Sequence, residues 1–110
     1  MPHYLVRWQF KDATAKGFID TPQDRTGPAK ALVEAFGGRM LCYYFAFGDY
    51  DGLAICDFPD ATSVAAFSFK ASSSGAFARF ETTVLLSAPE AEAAMKQAHS
   101  TQFAYRTPGT

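Results

Sequence analysis

The stretch RMLCYYFAFGDYDGLAICDFPD, Arg39–Asp60, decides the fold. Two apolar runs flank a short acidic turn that contains glycine. Arg39–Phe47 reads as a strand and Gly52–Phe58 as another, with FGDYD between them, so the two form a hairpin. Pro59 stops the second strand, and Asp60 is placed to cap a helix. Neither run alternates polar with apolar residues. Both faces of the hairpin are therefore apolar, and a helix layer covers only one of them.

Upstream, YLVRWQF (Tyr4–Phe10) is rich in β-formers and reads as the first strand. Tyr4, Val6, Trp8 and Phe10 point one way; Leu5, Arg7 and Gln9 point the other. Residues 11–27, KDATAKGFIDTPQDRTG, read as a long polar loop. A helix is expected over Pro28–Phe36, with Thr26 as cap and Ala29, Leu32, Val33 and Phe36 as its apolar stripe. Gly37-Gly38 ends it.

Downstream, a helix is expected from Ala61 to Ser72, with Val64, Phe67 and Ala71 facing inward, and SSSG (Ser72–Gly75) breaks it. Ala76–Leu86 is the fourth strand. SAPE, Ser87–Glu90, has the form of a capping box and opens a last helix, Ala88–His99. Its stripe of Ala91, Ala94, Met95 and Ala98 suits close packing. The tail from about residue 100 reads as irregular.

The order is β-α-β-β-α-β followed by a helix. Right-handed crossovers turn this into an α+β ferredoxin-like sandwich, a four-stranded antiparallel sheet in the order 4-1-3-2 with helices on one face. A three-residue hairpin loop would set Cys42 opposite Cys56, Tyr43 opposite Ile55, Tyr44 opposite Ala54 and Phe45 opposite Leu53. A slip of one residue would exchange the faces, but both would stay apolar. The expected resolution is a second copy packed sheet to sheet, a homodimeric α/β barrel.

The bulk composition bounds function. The chain has 110 residues, enough for one domain spanning 1–110, and 48% hydrophobic residues, with 11 Phe, enough for a core. Ten basic against 11 acidic side chains argue against nucleic acid or an anionic membrane as partner. No apolar run reaches the ~20 residues of a membrane span, and the first residues lack the pattern of a signal peptide. A cytoplasmic protein is expected. Cys42 and Cys56 match no zinc spacing and make no disulfide framework.

Several side chains are candidates for chemistry. Arg7 and Gln9 share a parity, as do Arg79 and Glu81, and their strands are neighbours. On the open face they would form a polar cluster inside the dimer, either an ion-pair network or a ligand site. At a sheet edge they would instead discourage stray pairing. Tyr50 and Asp51 are a phenol and a carboxylate at a cavity rim, or turn residues beside a positive-φ Gly48. Trp8, Tyr43, Tyr44 and the phenylalanines line a cavity for a flat substrate, or simply fill the core. His3 and His99 are isolated; a metal needs three or more converging ligands. No metal or cofactor is expected, and no nucleotide, hydrolase or zinc-protease motif is present.

GGRMLCYYFAFGDYDGLAICDFPD, then SSSG, then RFETTVLLSAPE together resemble the GYD domain family, small proteins of the dimeric α/β-barrel superfamily. The family pattern falls on Gly48, Tyr50-Asp51, the strand Leu53–Cys56, Pro59-Asp60, Gly75 and Thr82-Thr83, within roughly Tyr4 to Gln97. The long first loop and the Phe-rich second helix and last strand depart from it. The superfamily includes cofactor-independent monooxygenases, haem-degrading enzymes and muconolactone-type isomerases, a breadth that selects no single activity. Taken with the residue readings, the expectation is a GYD-like homodimer binding a small aromatic or apolar molecule, with cofactor-independent chemistry if it is catalytic, and with Arg7, Gln9, Tyr44, Tyr50, Asp51, Arg79 and Glu81 as cavity candidates. Whether it is an enzyme stays open. The alternatives are a non-catalytic structural or interaction module, and a haem-binding protein.

Overall fold

The computed structural model describes residues 1–109. Its elements are β1 (His3–Phe10), α1 (Asp12–Asp20), α2 (Thr26–Ala35), β2 (Arg39–Phe45), β3 (Gly52–Asp57), α3 (Ala61–Ser73), β4 (Phe77–Leu85) and α4 (Ala88–Ser100). The four strands form one antiparallel sheet in the order β2-β3-β1-β4, the expected ferredoxin-like arrangement. α2 packs on β2 and α3 on β4.

The alternation of β1 sets the two faces. Tyr4, Val6 and Trp8 are buried under the helices. Their register partners Cys56 and Ala54 on β3 share that face and are buried too. Val33 from α2, and Val64, Phe67 and Ala71 from α3, close over them, so the expected inner face of α3 is the observed one. Phe58, just past β3, is fully buried and packs on Tyr4 and Phe67. This end of the sandwich is filled.

Local chemistry explains the helix starts. The Asp60 carboxylate accepts the Ser63 amide at 2.8 Å and opens α3. At α4, Ser87 and Glu90 make both bonds of the capping box, 3.2 and 3.1 Å.

Four expectations need correction. Residues 11–27 are not one loop: Asp12–Asp20 is a helix. The Lys16–Asp20 ion pair, one turn apart at 2.6 Å, supports it. Phe18 pins it to the sheet by packing on Phe10 and Phe45, ring centroids 5.1 and 5.8 Å away. Second, Thr26 is inside α2 rather than its cap. The Asp24 carboxylate takes both the amide and the hydroxyl of Thr26, at 2.8 and 2.6 Å, and starts the helix earlier.

Third, the hairpin register is displaced by one residue. Tyr43 faces Ala54, Tyr44 faces Leu53, Phe45 faces Gly52, and Cys42 faces Ile55. The turn is longer than assumed, because the loop closes where Ala46 N–H donates to Asp51 O at 2.9 Å, and β2 shifts register between Met40 and Cys42. Cys42 and Cys56 are therefore not opposite one another, and both are free thiols. Fourth, the small-residue stripe of α4 is not buried: Ala94, Met95 and Ala98 are exposed and Ala91 is only partly covered. Alanines offer too little apolar area to hold a helix alone.

Candidate functional site

The uncovered face of the sheet carries a polar cluster. Arg7 on β1 lies opposite Glu81 on β4, and Gln9 lies opposite Arg79, so neighbouring strands deliver all of them to one patch. Tyr50 reaches in from the β2–β3 turn and donates its hydroxyl to Glu81 Oε2 at 2.8 Å. The guanidinium carbons of Arg7 and Arg79 lie 4.4 and 4.6 Å from the Tyr50 ring centroid. Arg7 Nη2 and Arg79 Nε each approach Glu81 at 3.5 Å, and Arg79 Nη2 donates to Asp49 O at 2.9 Å. The bond to Glu81 holds the Tyr50 hydroxyl above its ordinary pKa, since the phenol is needed as donor. The cluster is thus largely satisfied from within. Arg7 Nε is the exception, buried without a hydrogen-bond partner.

The remaining candidates separate from this group. Gln9 is exposed beside Arg79, and Tyr44 is 63% exposed on the same open face. Asp51 binds backbone: its carboxylate accepts the Phe10 amide at 2.7 Å, and its own amide donates to Trp8 O at 2.8 Å. These bonds dock the turn on the end of β1. Gly48, at φ +139°, supplies the backbone angle the turn requires.

The large space lies on the other side of the sheet. A cavity of about 740 Å³ opens between the sheet and the helices, beyond the filled end. Its residue sizes explain it. Large rings stand as walls: Trp8, Phe10, Tyr43, Phe77 and Phe80. Facing positions carry little or no side chain, at Gly17, Ala29, Ala54, Ala71 and Ala76. Trp8 and Tyr43 stack at 5.4 Å, and Phe10 stacks on Phe77 at 5.8 Å, so the rings brace one another rather than collapse inward. Gly52 lets Trp8 lie across β3, since a Cβ there would meet its indole, 2.8 Å from Nε1. Trp8 is only 4% exposed, yet Nε1 has no hydrogen-bond partner. α1 lies over the opening and contributes Thr14, Gly17 and Phe18.

None of the seven candidates named from the sequence lines this cavity. Trp8 and Tyr43 do, as the aromatic reading allowed; Tyr44 does not. Polar residues the sequence did not single out stand in the wall, Arg25 and Lys70 among them. Their only signal was position: Arg25 just before α2, and Lys70 in the last turn of α3. Burial holds the Tyr43 hydroxyl above its usual pKa, and the nearby Arg25 charge opposes this. Among the described residues no group of three or more His, Cys, Asp or Glu side chains converges as a metal site, and no helix is long and apolar enough to cross a membrane.

No curated protein matches the chain. Among solved structures, one titled "crystal structure of FFRP-DM1" superposes with a TM-score of 0.56 at 11% identity, covering 78% of this chain and 100% of that one. At that identity the likeness is one of fold. The family model described as "GYD domain" matches residues 4–95, from the start of β1 into α4, and includes the Gly48–Asp51 turn that docks on β1. The chain belongs to the GYD domain family.

Proposed function

We propose that this GYD domain protein is a homodimeric binding protein that takes a small aromatic or apolar molecule into the cavity between sheet and helices. One observation carries the reading: the cavity of about 740 Å³ walled by Trp8, Phe10, Tyr43, Phe77 and Phe80. Small-molecule sites typically span about 300–1,000 Å³, mostly apolar with a few polar groups. The unpartnered Trp8 Nε1 and the Tyr43 hydroxyl are such groups. The free thiols of Cys42 and Cys56 agree with a cytoplasmic location.

A thermal-shift screen with small aromatic compounds tests the binding. A true ligand at about a hundred times its Kd raises stability by about 2.7 kcal/mol. Substituting Ala71 by Phe, which fills the cavity from α3, should abolish the shift while the protein stays folded. A shift that survives Ala71→Phe would place the ligand elsewhere.

A second reading attaches to the open face. The self-satisfied cluster of Arg7, Tyr50, Arg79 and Glu81 favours a structural role there, at the seam of the proposed dimer, over proton transfer to a substrate.

A further inference from the structure

The cavity has a charge as well as a shape. Among the described residues, its charged lining residues are both cations, Arg25 at the start of α2 and Lys70 in the last turn of α3. Among the described residues neither is ion-paired; the one side-chain hydrogen bond of Arg25 is to Gln23 Oε1, at 3.3 Å. The nearest acid in sequence, Asp24, is held by Thr26 through short bonds to its amide and hydroxyl. Those bonds keep the Asp24 carboxyl below its ordinary pKa, fixed to the helix rather than to Arg25. The first turn of α2 lies on the same wall through Pro28 and Ala29, so the positive end of the helix adds to the field. Inside are stacked rings and one buried indole N–H without a partner.

An aromatic interior with a cationic rim, whose neighbouring acid Asp24 is held by Thr26, is complementary to an aromatic anion. We propose that the ligand is a flat, multi-ring aromatic carboxylate. Its rings lie among Trp8, Tyr43, Phe10 and Phe77, and its carboxylate meets Arg25 and Lys70. The assignment rests on the cavity being the binding site. The cavity volume suits more than a single ring. The rim cations supply charge-assisted bonds that a neutral analogue cannot accept in full. Arg25 offers a planar fork for the carboxylate, and Lys70 a mobile point charge.

A matched pair of probes, 2-naphthoate and 2-naphthamide, tests this by isothermal titration calorimetry on the full chain. The acid should bind at least about tenfold more tightly, and the gap should narrow as salt is raised. Arg25→Gln and Lys70→Gln, both at the rim and away from the packed core, should each weaken the acid several-fold and leave the amide unchanged. Trp8 is the sole tryptophan, so its indole N–H gives one NMR resonance, which should move with either probe. Equal affinity for acid and amide, with the indole resonance moving, overturns the carboxylate assignment and leaves the cavity reading standing. Binding of neither probe, or binding without movement of the indole resonance, overturns both.

Discussion

Gly52 and Trp8 show how one residue controls the site. β3 carries no side chain at Gly52, and the Trp8 indole occupies that space. Gly52→Ala must displace the indole or the strand, since the colliding atoms belong to a braced ring. Overpacking of this kind costs about 1–3 kcal/mol. Urea denaturation should show that loss, and Trp8 fluorescence should shift with it; an unchanged emission spectrum would mean the indole does not depend on Gly52. Cys56 makes a chemical counterpart. It has no exposure, and burial, with smaller contributions from Cys42 and Asp57, pushes its thiol up to about 12. The thiolate is the reactive form, so Cys56 should resist alkylation in the folded protein and react once it is unfolded. Peptide mapping after iodoacetamide treatment checks this, and native labelling of Cys56 would contradict the described packing.

The elements were legible where local chemistry and periodicity agreed. α3 has its cap at Asp60 and its apolar positions at Val64, Phe67 and Ala71, and all four roles are as the sequence indicates. Its cap also fixes a pH response. The bonds from Ser63 lower the pKa of Asp60 below its ordinary value of 3.8. That contribution to stability is fully present above 3.8 and is lost as the pH falls through the lower folded value. Asp60→Asn keeps a capping oxygen without the titration. Its urea midpoint should therefore fall less than that of the parent chain on acidification; identical acid slopes would remove Asp60 from the response. α1 was illegible for the opposite reason. Its residues are mostly exposed and include Gly17, so no stripe announces it. Phe18 holds it by contacts to β1 and β2, which no local pattern reveals.

At the scale of the molecule, the two faces of the sheet have different fates. One is covered by α1, α2 and α3 and encloses the cavity. The other presents Leu5, Leu53 and Ile55, half-buried, and Tyr44, exposed, flanked by the Arg7–Glu81 cluster. Such an apolar strip is the basis for the proposed homodimer. Light scattering at low micromolar concentration should give twice the 12.0 kDa of the chain. Ile55→Glu, which puts a charge at the centre of the strip, should give a monomer that still melts cooperatively. A monomeric parent chain would leave the strip without its proposed cover.

Sequence alone determined the strand order, the caps at Asp60 and Ser87, the two-sided apolarity of the hairpin and the shared parity within the pairs Arg7 and Gln9, and Arg79 and Glu81. These follow from periodicity, turn chemistry and parity, which act between near neighbours or along known pairings. Tertiary structure decided the hairpin register, which moved Tyr43 inward and Tyr44 outward. It also decided where space remains. A void is a difference between the volume the backbone encloses and the volume its side chains fill, and here it depends on Trp8 meeting Gly52, and on rings facing Ala29, Ala54 and Ala71 across elements far apart in the chain. The GDYD turn, Gly48–Asp51, offers a phenol and a carboxylate for a cavity rim, or the chemistry of a turn. In three dimensions it docks a hairpin on β1 and sends Tyr50 to Glu81, while the cavity opens behind it, on the far side of the sheet.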